Sequence, residues 1–132
     1  MENKVENLWP KIMIDSFNLP KAILSKQADY LGESTKNIVT AKIESYASPN
    51  DSEGKSNTKH RFIVYAPTLN YQFELLSVEH DTFASYPLLL TCSILEKKYY
   101  PETEKGFIER LSQIFNEPKV QNAIKTLIAQ SQ

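Results

Sequence analysis

The sequence predicts an α+β fold in two layers. An antiparallel sheet of about four strands, arranged as a meander, carries an N-terminal helix and a C-terminal helical hairpin on one face. Three observations lead there. Residues from Arg61 to Lys97 read as three consecutive strands with turn residues between them. Residues 18–31 carry an apolar stripe at helical spacing, closed by Gly32. Residues 102–129 carry two more stripes, separated by Asn116-Glu117-Pro118.

The chain of 132 residues fits one domain, 1–132. Its 41% apolar content is enough to bury a core without disulfides or metals. Residues 1–8 are polar and expected to be mobile. Trp9 to Ile14 is a short apolar patch, and Trp9 is too large to leave in water, so an arm docked on the core is expected. Asn18-Leu19-Pro20 opens a helix with Asn as N-cap and Pro in the first turn. Leu24, Ala28 and Leu31 form its stripe, with Ile23 on the edge.

Asn37 to Tyr46 alternates as a strand, with Val39, Ala41 and Ile43 on one side and Thr40, Lys42 and Glu44 on the other. Residues 47–58 hold no large apolar side chain and read as a flexible loop. Arg61 to Ala66 is rich in β-branched and aromatic residues. It ends at Pro67, which cannot donate to a ladder, and Asn70, a turn residue. Tyr71, Phe73 and Leu75 then alternate with Gln72 and Glu74, until the phase slips at Leu76 and Val78. One residue of slip predicts a β-bulge, which returns the apolar side chains to one face. Leu88 to Leu95 is apolar on both faces at its start and reads as the most buried strand. Lys97 to Pro101 is a connector. Phe107, Ile108, Leu111, Ile114 and Phe115 form one helical stripe, and Val120, Ile124, Leu127 and Ile128 the next.

The motifs for common chemistries are missing. Three isolated glycines, Gly32, Gly54 and Gly106, make neither a phosphate loop nor a dinucleotide fingerprint. No histidine or cysteine pair has the spacing of a metal site, so no metal and no cofactor is expected. Cys92 is the single cysteine and lies in the most apolar strand, so it reads as an inert thiol in a reducing, cytoplasmic protein. The N-terminus lacks the apolar core of a signal peptide, and no stretch approaches the length of a membrane span.

Glu79-His80-Asp81 is the one place where three titratable residues cluster at a strand end. His80 and Asp81 are therefore the candidate catalytic pair. Neighbours on a strand point to opposite faces, so the three cannot all converge unless the segment turns. Lys55, Lys59, His60 and Arg61, with Lys97 and Lys98, form small basic groups, but the formal charge is −1 and no RNA-recognition signature is present. Nucleic acid and membrane are not expected as partners.

Seven tyrosines exceed what a core needs. Tyr65, Tyr71, Tyr86, Tyr99 and Tyr100 lie in or beside the central strands, and tyrosine suits interfaces because it is apolar with one polar tip. Leu89 and Leu95 would fall on the sheet face that neighbouring strands leave polar, a patch that a second copy of the chain could cover. The expectation is a non-enzymatic interaction module that binds a partner or itself, slightly favouring a homodimer. Its binding residues would be Tyr65, Tyr71, Tyr86, Leu89, Tyr99 and Tyr100. The alternative is a small enzyme or ligand-binding domain with a pocket between sheet and helices near His80.

Overall fold

A computed structural model describes residues 4–12, 19–50 and 55–132 of the chain. Helix α1 (Pro20–Ser34) leads into strands β1 (Thr40–Asn50) and β2 (Lys55–Ala66). A 3₁₀ turn at Pro67–Leu69 precedes β3 (Tyr71–Asp81), and β4 (Leu88–Cys92) and β5 (Lys97–Tyr99) follow. Helices α2 (Glu104–Phe115) and α3 (Pro118–Gln130) close the chain. The sheet has five strands in the order β1-β2-β3-β4-β5, every neighbour antiparallel. This is the expected α+β meander with one strand more than expected.

The core lies between one sheet face and the three helices. Phe62, Val64 and Ala66 of β2, Leu76 and Val78 of β3, and Leu88, Leu90 and Cys92 of β4 all point into it. From the helical layer come Leu24 and Ala28, then Phe107, Leu111 and Ile114, then Val120 and Leu127. All three helices therefore cover the same face. The bulge falls where the phase slip predicts it. Phe62 pairs with Leu76 but Ile63 pairs with Glu74, so Leu75 is the extra residue of β3. Leu75 and Leu76 are in consequence both buried.

The hairpin between β2 and β3 turns as its residues demand. Pro67 opens the 3₁₀ turn, and Asn70 takes the left-handed conformation, φ 49°, that asparagine tolerates. Helix α2 begins at Thr103, whose hydroxyl accepts from the Gly106 amide at 3.0 Å.

Several expectations are corrected. Residues 47–58 are not a loop. Ala47, Ser48, Pro49 and Asn50 pair with Thr58, Asn57, Ser56 and Lys55; residues 51–54 between them lie outside the described residues. The ladder there is held by main-chain hydrogen bonds between polar residues, and hydropathy carries no trace of it. Leu95 is not in a strand. β4 stops at Cys92, and residues 93–96 turn, with Glu96 left-handed at φ 55°, into the added strand β5. Leu95 packs against the core from that turn.

The arm does not dock as expected. Trp9 is 75% exposed, and Val5, Leu8 and Ile12 are exposed too; Met13 and Ile14 lie outside the described residues. Gly32 does not end α1, which runs on to Ser34. Gly32 is instead a close approach, since a Cβ there would stand 3.1 Å from Asn37 Oδ1. Thr35 ends the helix, its hydroxyl 3.0 Å from Leu31 O and 2.7 Å from Val39 O, where its single proton can be donated to either. The expected N-cap, Asn18, lies outside the described residues.

Candidate functional site

On the core face, the middles of β1 and β2 and the end of β3 carry a chain of polar groups. Val78 pairs with His60, and His80 pairs with Thr58, so the two histidines are diagonal neighbours on one face. Their Nε2 atoms are 2.9 Å apart. His60 Nδ1 lies 2.7 Å from Ser45 Oγ on β1, and His80 Nδ1 lies 2.7 Å from the Asp81 carbonyl oxygen. His60 is 5% exposed, His80 is partly buried and Ser45 is exposed.

The tautomers follow from the partners. The Asp81 carbonyl only accepts, so His80 Nδ1 carries a proton and donates it. In neutral His80 the Nε2 lone pair then accepts from His60 Nε2–H. His60 Nδ1 in turn accepts from the Ser45 hydroxyl. Every ring nitrogen is used, and the neutral chain has one consistent proton order.

Protonating both rings would set two N–H groups head to head. His60 accordingly titrates at about 4, pushed down by burial first, then by His80 and by Lys21 of α1.

The opposite face is crossed by an ionic ladder. Arg61 of β2 donates from Nε to Glu74 Oε1 on β3 at 2.6 Å and from Nη1 to Glu44 Oε2 on β1 at 3.0 Å. Lys42 Nζ stands 3.5 Å from Glu44 Oε1. Beneath the ladder Ile63 is only 2% exposed, although it points away from the core. Its neighbours on that face are Lys42, Glu74, Arg61 and Tyr65, whose long stems are able to fold over it.

The structure disperses the other candidate residues. Asp81 alternates with His80, so its side chain leaves the core face; Oδ1 accepts from the Phe83 amide at 2.8 Å. Tyr65 lies on the ladder face. Tyr71 shares the core face with Ala66, at the margin near Phe73 and α3. Tyr86 packs on Phe107, its hydroxyl buried without a partner among the described residues. Burial, with Glu104 nearby, raises that phenol to about 12.

Tyr99 and Tyr100 alone share a groove, at β5 and α2, where the Arg110 guanidinium sits 4.4 Å from the Tyr99 ring centre. Leu89, paired with Glu79, is on the ladder face without Leu95 beside it. The expected tyrosine surface and two-leucine patch are thus not formed as single surfaces.

In the sequence His60 stands within a basic group and Ser45 in an ordinary strand, so neither marks a site. A signal was present. A hairpin turning at residues 67–70 brings residue 60 level with residue 78 and so beside His80.

No family model, no curated protein and no solved structure matches this chain. No helix among the described residues is long and apolar enough to cross a membrane.

Proposed function

We propose that this protein is a non-enzymatic interaction module, which binds another protein or a second copy of itself through the part of the sheet its helices leave uncovered. The observation that carries the reading is β1. It is an edge strand of 11 residues, with no strand on its outer side among the described residues. An edge strand of that length presents amides and carbonyls without a ladder partner among the described residues, and adding a strand to it is a common mode of recognition. Tyr46, 46% exposed, stands on this strand beside the ladder of Glu44, Arg61 and Glu74.

The alternative, a small enzyme near His80, has less support. Both rings have their nitrogens engaged by Ser45, by each other and by Asp81. None of the described grooves between sheet and helices is lined by Ser45, His60 or His80. A reducing, cytoplasmic setting fits the single buried thiol of Cys92.

The test is site-specific photo-crosslinking in cells producing the protein, with the probe at Tyr46 and a control probe at Phe83. Adducts concentrated at Tyr46 are the expected result. Equal labelling at both positions, or none at Tyr46, overturns the reading.

A further inference from the structure

We infer that β1 pairs with β1 of a second copy, antiparallel about a two-fold axis at Ile43, to join the two sheets into one. The inference rests on the reading of β1 as the binding edge and names its partner. Its basis is the charge order along the strand. The ladder face of β1 presents Thr40, Lys42, Glu44 and Tyr46, and the core face presents Ala41, Ile43 and Ser45.

Antiparallel pairing centred on Ile43 sets Lys42 opposite the second copy's Glu44, and Glu44 opposite the second copy's Lys42. Two ion pairs arise from one self-complementary pattern. Ile43 meets its twin, Ala41 meets Ser45, and Thr40 meets Tyr46, an aromatic to β-branched pair of the kind that stabilises sheets.

The two adjacent same-face registers are disfavoured by the same residues. Centring on Lys42 opposes two lysines, and centring on Glu44 opposes two glutamates; like charges directly across a ladder are destabilising. A shift of one residue in the pairing sets core-face positions against ladder-face positions, which the pleat forbids. A lone edge lysine would simply guard the strand against pairing. Glu44 two residues on converts that guard into a recognition pattern.

The local structure supports the contact. Glu44 is already held by Arg61 at 3.0 Å, so little ordering remains to be done when a partner arrives. Pro49, which has no amide to donate, lies beyond the paired stretch 40–46. Helix α1 packs chiefly against β1 from the core side, through Leu24 and Ala28.

The test is sedimentation equilibrium of the full chain across the micromolar range, with urea unfolding to confirm that each variant is folded. The wild type is expected to dimerise. Lys42→Glu and Glu44→Lys, each alone, are expected to weaken the dimer about tenfold or more, because two symmetric attractive pairs become repulsive. Mixing the two variants sets acidic against basic positions at both sites and is expected to give a one-to-one heterodimer. Lys98→Glu on β5 should leave the affinity unchanged.

A monomeric wild type, a dimer indifferent to Lys42→Glu, or a mixture no tighter than its components overturns the inference. A monomer whose Tyr46 probe still labels other proteins removes self-pairing alone. A silent Tyr46 probe removes the edge reading itself.

Discussion

His60 and His80 stand Nε2 to Nε2 at 2.9 Å across β2 and β3, although 20 positions separate them in the chain. Burial of His60, with His80 and Lys21 beside it, disfavours a proton on that ring in the folded protein. Folding therefore competes with protonation of His60. Its value is about 4 in the folded protein and 6.5 for the free side chain. Between those two values the unfolded chain binds more protons, so stability rises with pH.

The first prediction concerns that window. The contribution of His60 is present in full above pH 6.5 and is lost as the pH falls towards 4. The loss should total about 2 kcal/mol, less than the full shift implies, because partly exposed His80 and solvent screen the pair. Urea unfolding at several values across the window measures it. His60→Gln should remove this part of the slope, and an unchanged slope would place the titration elsewhere.

Replacing residues 48–57 with a Gly/Ser linker should cost about 2 kcal/mol or more, at roughly 0.5–1.5 for each hydrogen bond removed. The exchange strips rungs from both sides of β2: Ser48 with Asn57, Pro49 with Ser56, and Asn57 with Asp81. It also removes the bond from Thr82 Oγ1 to the Ser56 carbonyl at 2.9 Å. Replacing only residues 51–54 should change stability by less than about 1 kcal/mol. Equal costs for the two exchanges would show that the outer ladder adds nothing.

Phe107→Ala should cost about 3–5 kcal/mol, because that ring is fully buried between α2 and the sheet. Phe115→Ala should cost less, since Phe115 is only partly buried beside Phe62. Truncation after Pro101 should abolish cooperative unfolding, as it removes Phe107, Leu111 and Ile114 together. Thermal and urea unfolding report all three. A cooperative truncated chain would make the helical hairpin an appendage.

Tyr86→Phe should raise stability by about 1 kcal/mol, because it removes a buried hydroxyl that has no partner among the described residues. The ring against Phe107 is kept. A loss of stability would mean that the hydroxyl holds an ordered water.

How far the sequence discloses the molecule depends on what holds each part together. The bulge is legible, because Leu75 and Leu76 are both apolar and only a slip hides both. The α2 and α3 stripes are legible for the same reason, with Ile108 as the member left in water. The outer halves of β1 and β2 are not legible. From Lys55 to Thr58 polar residues occupy both faces, so nothing alternates. β5 is too short for a pattern, and the turn that frees Leu95 depends on one backbone angle at Glu96. His80 stands out in the sequence, but Ser45 and His60 join it only once the register is known, since each is unremarkable in its own segment.

The strand order follows the chain order without a crossover. Each hairpin can thus close on the one before it, and no strand waits for a distant segment to arrive. Loop closure is short at every step, which favours quick assembly and leaves few opportunities for mispairing. During synthesis the sheet can grow from β1 outward as the chain emerges, with α2 and α3 arriving last to cover β3 and β4. Until they arrive, Leu76, Val78, Leu88 and Leu90 remain in water, and the nascent chain is most exposed to aggregation in that interval.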